Sequence, residues 1–103
     1  MPGDVFLCSF PFTSGAISKT RPVLVLFDLQ QDVLVCRITS AARSNACDVP
    51  LLDWSHAGLA KTSVARIDRV VTMERSLLQR RLGQLTPRDL NAIRSAWNQN
   101  MRL

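Results

Sequence analysis

The longest uninterrupted apolar run in the chain, Pro22 to Phe27, holds six residues. A helix needs about 20 apolar residues to cross a bilayer. A short continuous apolar run suits a buried strand instead. The chain is punctuated on the same short scale from end to end, so it must build a core from several short elements. It has 103 residues, enough for one domain over 1–103. No internal repeat, low-complexity run or linker divides it. The N-terminus, Met1-Pro2-Gly3-Asp4, carries no basic segment and no long apolar one, so no secretory leader is expected.

The pattern predicts five or more strands and one helix. Residues 4–10 are β-rich and stopped by Pro11. Thr13 to Thr20 reads as a loop, Val23 to Phe27 as a strand, and Asp28 to Asp32 as a polar turn. Val33 to Thr39 alternates, with Val33, Val35, Arg37 and Thr39 on one face and Leu34, Cys36 and Ile38 on the other. Ser40 to Asn45 is a loop. Cys47 to Leu52 forms a fourth strand that Pro50 confines to an edge or bulge. Asp53 to Ala60 is a loop or short turn, and Ser63 to Thr72 a fifth strand. Glu74 to Leu78 suits one helical turn, and Arg80 to Leu85 fits strand or helix. Thr86 can cap a helix opened by Pro87, with Asp89 completing a capping box. Leu90, Ile93, Trp97 and Met101 follow as an apolar stripe. Short strands with hairpin-length connections and one C-terminal helix predict a mainly β protein, a small barrel or strongly bent antiparallel sheet.

Charge narrows the partners. The net charge is +5, and eleven of the thirteen basic residues are arginine. Residues 1–64 balance to zero, so the whole excess lies in 65–103, where eight arginines face three acids. An arginine fork matches phosphate and stacks on bases, so this end favours a polyanionic partner; a solvated basic face is the alternative. Three cysteines without a C-x-x-C exclude a disulfide framework and point to a reducing, cytoplasmic setting. The single histidine, His56, excludes a multi-histidine metal site and a two-histidine nuclease. It reads as a structural or solvated loop residue, and Trp54 beside it as core or rim packing or a base-stacking platform.

A few polar residues sit where chemistry could use them. Arg21 precedes the second strand. Thr39 and Ser40 end the third, where hydroxyls and backbone N–H groups can reach a phosphate. Arg66 and Asp68 are two apart on the fifth strand, which puts both on one face. Each has a plain structural alternative: a covered strand end, a turn, an exposed ion pair between Arg66 and Asp68.

Gly3-Asp4-Val5, Phe10-Pro11-Phe12-Thr13 and Lys19-Thr20-Arg21-Pro22-Val23-Leu24-Val25-Leu26 occur in that order. Cys36-Arg37-Ile38-Thr39-Ser40, Asp48-Val49-Pro50-Leu51, Ala57-Gly58-Leu59, Ser63-Val64-Ala65-Arg66-Ile67-Asp68 and Leu82-Gly83-Gln84-Leu85-Thr86 follow. Together they resemble the MazF/PemK-like toxins of bacterial type II toxin–antitoxin systems, in a branch with a Phe-Pro-Phe-Thr turn. The resemblance implies an SH3-like barrel of the CcdB/Kid/MazF kind, usually a homodimer, with an antitoxin protein as partner. It implies a metal-independent endoribonuclease without cofactor that cuts single-stranded RNA, leaving a 2′,3′-cyclic phosphate and a 5′-hydroxyl. By the same resemblance Arg21, Thr39, Arg66 and Asp68 are the catalytic candidates, and Asp4, Ser14, Lys19 and Ser40 the substrate-binding ones. Ser14 departs from the branch, which commonly has Asp there.

The chemistry assigns each group a task. Asp68 is the candidate base for the ribose 2′-OH. Arg21 holds the phosphate and offsets its developing charge, and Thr39 donates to a phosphate oxygen. Arg66 is the proton donor by family analogy, but arginine is a poor acid, which favours an electrostatic role. Two other functions compete: a gyrase-inhibiting toxin of the CcdB type, working through C-terminal helix residues such as Trp97, and a non-catalytic RNA-binding barrel.

Overall fold

In the computed structural model, which describes residues 1–9, 19–41 and 44–103, the apolar run lies inside a longer strand than the sequence suggests. The strands are β1 (Asp4–Ser9), β2 (Thr20–Leu29), β3 (Asp32–Thr39), β4 (Asp48–Leu51), β5 (Ser63–Glu74) and β6 (Leu78–Gln84). A 3₁₀ turn, Arg75–Leu77, joins β5 to β6, and one helix, α1 (Pro87–Asn100), ends the chain. The strands form one antiparallel sheet in the order β4-β5-β3-β2-β1-β6. This is the mainly β architecture with a C-terminal helix that the sequence predicts, and Pro50 lies on the edge strand β4 as expected.

Several boundaries differ: β4 is shorter than expected, β5 runs on to Glu74, the helical turn shrinks to Arg75–Leu77, and β2 extends at both ends. Thr20 belongs to β2, not to the preceding loop. The stretch Asp28 to Asp32 is not a turn throughout: Asp28 and Leu29 pair with Val33 and Asp32, which leaves Gln30 and Gln31 as a two-residue hairpin. Gln30 takes φ +76°, the left-handed conformation that tight hairpins require. Its N–H donates to the Asp28 carboxylate at 2.9 Å. The polar side chains that suggested a turn act from within the strand pair, and Arg75 bonds both Asp28 and the Gln30 carbonyl. Residues 80–85, ambiguous in sequence, fall largely in β6.

The sheet has a core on each face. One gathers Val5, Leu24, Cys36, Ile38, Ala65 and Ile67 under Ile93 of α1, with Leu90, Trp97 and Met101 packed against it. All four members of the predicted helical stripe therefore face inward. Of these Ile93 is the buried one, and full burial of such a side chain stabilises by roughly 1.5–3 kcal/mol. The second core holds Cys8, Val23, Val25, Val33, Val35 and Met73. The Cys8 Sγ lies 3.8 Å from the Met73 sulfur, although β2 and β3 separate their strands in the sheet. The sheet is therefore rolled.

A turn completes the roll. Residues 52–58 leave edge strand β4 and lie against β6, the opposite edge. A Cβ at Gly58 would sit 2.2 Å from the Leu82 carbonyl oxygen, and one at Gly83 would sit 2.7 Å from that of Ala57. The start of α1 grips the same turn. Thr86 accepts from the Asp89 N–H, as predicted for a cap. The Asp89 carboxylate, however, does not return to Thr86 in a capping box. It is wholly buried and accepts from the N–H groups of Leu52 and Asp53.

Candidate functional site

A row of cross-strand partners crosses the whole sheet. Asp48 on β4 pairs with Arg66 on β5, Arg66 with Arg37 on β3, and Arg37 with Val23 on β2. Val23 pairs with Phe6 on β1, and Phe6 with Arg81 on β6. Paired residues share a face, and Val23 fixes which one: the face of the second core, opposite the helix. The β2–β3 register, Val23 to Arg37, extended by two residues puts Arg21 across from Thr39 on this same face. Arg21, Thr39, Arg37, Arg66 and Asp48 thus occupy two adjacent rows. Arg21 reaches this place because β1 pairs with β2 as far as Ser9–Thr20. Pro22 costs the ladder a donor but leaves the pairing with Leu7 in place.

Thr39 is set by its own turn. Its hydroxyl oxygen accepts from the Ala41 N–H at 3.1 Å, which leaves the O–H proton to donate elsewhere. Ser40 follows in the exposed bend. Lys19 is exposed, two residues before Arg21. Ser14 and the Phe-Pro-Phe-Thr segment lie outside the described residues.

Arg66 and Asp68 have separate surroundings. Arg66 is buried and its Nε lies 3.4 Å from the Asp48 carboxylate. The ion pair that sequence spacing offered between Arg66 and Asp68 is replaced by this one. Asp68 is exposed, within a bulge: Arg37 pairs with Arg66 but Cys36 pairs with Val70, so 67–69 are extra on β5. The odd-numbered Ala65 and Ile67 face the helix-side core, while the odd-numbered Val71 and Met73 face the other. Asp68 sits where the strand changes face, so simple alternation does not hold there. Its charge still acts nearby. Burial, with the Asp68 carboxylate adding to it, pushes the Cys36 thiol up to about 12.

Asp4 lies four positions along β1 from Cys8, the partner of Arg21. At about 3.3 Å per residue that is roughly 13 Å from the Arg21 row. There it pairs with Arg81 at 3.2 Å. The register therefore puts Arg21, Thr39 and Arg66 on one face of the sheet, with Ser40 and Lys19 next to them in the chain, and Asp4 farther along β1. Two members of the cluster escaped the sequence reading as site residues. Arg37 was visible in the alternating third strand on the same face as Thr39. Asp48 carried no signal, because its partner is 18 residues away.

Among the described residues the two rows hold the arginines Arg21, Arg37 and Arg66 and the carboxylate of Asp48. Arg37 and Arg66 are direct cross-strand partners, so two guanidinium groups share this part of the face. Among the described residues no cluster of three or more histidine, cysteine or acidic side chains is arranged to hold a metal ion. None of the described helices is long and apolar enough to cross a membrane. Trp97, the helix residue considered for protein inhibition, packs edge-on to Phe27 with ring centroids 6.1 Å apart.

A rolled six-stranded sheet, closed by a turn and one C-terminal helix, places the chain among small SH3-like β-barrels. A profile of the PemK-like, MazF-like toxins of type II toxin–antitoxin systems matches residues 1–101, and the chain belongs to that family. Among solved structures it is similar to an endoribonuclease from a mycobacterial species, 23% identical with a TM-score of 0.78, over 98% of this chain and 89% of that one. It is also similar to the Mycobacterium tuberculosis toxin MazF-mt6, 27% identical with a TM-score of 0.76, over 92% and 93%. The MazE–MazF structure from Deinococcus radiodurans is 23% identical with a TM-score of 0.75, over 96% and 92%. A search of the curated proteins finds no match.

Proposed function

We propose that this toxin-family protein is a metal-independent endoribonuclease that cuts single-stranded RNA and leaves a 2′,3′-cyclic phosphate and a 5′-hydroxyl. The observation that carries the reading is the placing of Arg21, Arg37 and Arg66 with the Thr39 hydroxyl on one sheet face. Such a set binds a phosphodiester and stabilises the charge that builds on it. Arg21 clamps the scissile phosphate and Thr39 donates to one of its oxygens. Arg66 acts electrostatically, since a guanidinium holds its proton too tightly to be a good acid. Asp68 takes the ribose 2′-OH proton as O2′ attacks phosphorus. The P–O5′ bond then breaks and O5′ takes up a proton from water. The need for a 2′-OH selects RNA over DNA.

Lys19 and Ser40 border the patch and contact the neighbouring backbone. Asp4 and Ser14 are the remaining substrate-contact assignments. Trp97, packed on Phe27, has its ring engaged within the fold, which weighs against the gyrase-inhibitor alternative. The names of two relatives, an endoribonuclease and MazF with MazE, support both the activity and a partner antitoxin for this chain. A partner that covers an arginine-rich face carries acidic residues, and the protein acts as a homodimer in the cytoplasm.

The test is incubation of purified protein with a long mixed-sequence single-stranded RNA in EDTA, with Arg21→Ala alongside. Discrete fragments ending in cyclic phosphate from the wild type, absent with the variant, are expected. Intact RNA from folded wild-type protein would defeat the proposal, and equal cutting by both would remove Arg21 from the site.

A further inference from the structure

We infer that Asp48 is a positioning residue for Arg66, and that the pair couples the phosphate-binding face to the turn at residues 45–48. This deepens the proposed ribonuclease reading and rests on it.

The Asp48 side chain is 1% exposed and that of Arg66 is 9% exposed. An arginine buried this far must be paired, because removing a charge from water is costly unless a partner compensates. One Asp48 oxygen takes the Arg66 Nε at 3.4 Å and the other takes the Asn45 N–H at 3.2 Å. Asn45 closes the turn. Its carbonyl accepts from the Asp48 N–H, and its side-chain oxygen accepts from the Cys47 N–H. A single carboxylate thus ties the turn at residues 45–48 to the arginine on β5.

The geometry also assigns the edge of the guanidinium. With Nε on Asp48, the two Nη groups form the other edge of the fork. The register puts Arg37 directly across from Arg66, with the Arg21–Thr39 row beside it. The ion pair therefore fixes both where the Arg66 charge sits and which edge it offers to a phosphate. Asp48 also offsets the Arg66 charge before substrate arrives. A fixed dipole or charge stabilises a transition state without reorganising during the reaction. A misplacement of about 1 Å at such a group can cost on the order of 10²-fold in rate.

The test is a kinetic cycle on the full chain with single-stranded RNA, using Asp48→Ala, Arg66→Ala and the double variant. Asp48→Asn and Asp48→Glu serve as conservative variants in case alanine prevents folding, and thermal melts identify the folded samples. The expected result is a kcat roughly 10- to 100-fold lower for Asp48→Ala, with KM changed less than about threefold. The double variant should be no slower than Arg66→Ala, since the two act as one unit. Asp48→Asn retains an acceptor for Nε and should recover part of the loss. In ¹⁵N-resolved spectra the Arg66 Nε–H signal should be protected in the wild type and Asp48→Asn, and lost in Asp48→Ala.

An active wild type with unimpaired Asp48→Ala, or a double variant slowed by the product of the two singles, would overturn the positioning role alone. The product result would mean that Asp48 merely braces its own loop. A wild type inert on RNA would overturn the functional reading, and this role with it.

Discussion

Gly83 on β6 and Ala57 in the closing turn meet backbone to backbone, so closely that a Cβ at Gly83 would lie 2.7 Å from the Ala57 carbonyl oxygen. This contact joins the two ends of the rolled sheet, and neither partner is the far end of a flexible side chain that could move aside. Gly83→Ala is therefore expected to destabilise by about 1–3 kcal/mol, the cost of overpacking a close contact. The urea midpoint should fall with an unchanged m-value. A midpoint equal to that of wild type would mean that the turn can withdraw from β6 without loss. Gly58→Ala should cost more, because φ there is +83° and the Leu82 oxygen would be only 2.2 Å away.

The buried Asp89 carboxylate gives a second stability test. It accepts from the N–H groups of Leu52 and Asp53. Asp89→Ala should lower stability by about 1–3 kcal/mol for each donor left without an acceptor. Amide exchange at Leu52 and Asp53 should accelerate first. Unchanged exchange at both amides would show that water or another acceptor replaces the carboxylate.

Much of this architecture was legible because its signals are local. Thr86, Pro87 and the Leu90–Met101 stripe announce the helix within one stretch of chain. The alternation of Val33, Val35, Arg37 and Thr39 announces both faces of β3. What escaped depends on register or on distant partners. Asp28 looked like a turn residue because its carboxylate serves the backbone of Gln30, which is also how such residues act in turns. Asp89 stands three residues after a threonine, the spacing of a capping box, but a turn more than 30 residues away claims its oxygens. The extra residues 67–69 on β5 reveal themselves only against the partner strand. The site is similar. Arg21 and Thr39 were singled out by their strand-end positions and by a family resemblance, whereas their adjacency follows from the pairing of Val23 with Arg37.

Asp53 makes acid stability sensitive to the grip on the closing turn. Its hydrogen bond from Arg88, with a second from Thr86, holds the Asp53 carboxyl below the ordinary carboxylate value. A carboxyl with a lowered native pKa contributes stability above its unfolded pKa and loses it as pH falls through the native value. Wild type should therefore lose melting temperature below about pH 4, and Asp53→Asn should lose less over the same interval. The difference should be small and shrink with added salt, since the Arg88 side chain is largely exposed. Parallel melting curves from pH 5 to pH 2 would dismiss the idea. Asp28, lowered by the Gln30 N–H and then by Arg75, keeps its own share in both proteins.

Activity and stability should separate at Arg21 and Thr39. Arg21 is exposed and Thr39 lies at a strand end, so Arg21→Ala should change stability by no more than about 0.5 kcal/mol. Its RNA cleavage should fall by about 10²–10³-fold, the loss expected when a preorganised donor is removed. Thr39→Ser keeps the hydroxyl and should remain active, whereas Thr39→Val should not. Equal activity of the serine and valine variants would take the hydroxyl out of the reaction.

The three cysteines should differ sharply in reactivity. Cys8 and Cys36 are completely buried, and Cys47 is partly exposed. Burial raises the Cys8 thiol, and burial with the neighbouring Asp68 charge pushes Cys36 up to about 12. The thiolate is the reacting species, so both buried thiols are shielded by access and by protonation. At pH 8, brief iodoacetamide treatment of native protein should modify Cys47 alone by peptide mapping, and unfolding in urea should release all three. Asp68→Asn removes the charge beside Cys36 but leaves the larger effect of burial, so Cys36 should stay unmodified in that variant. Labelling of Cys36 in the folded variant would instead make Asp68 part of what keeps the β5 bulge closed over the core.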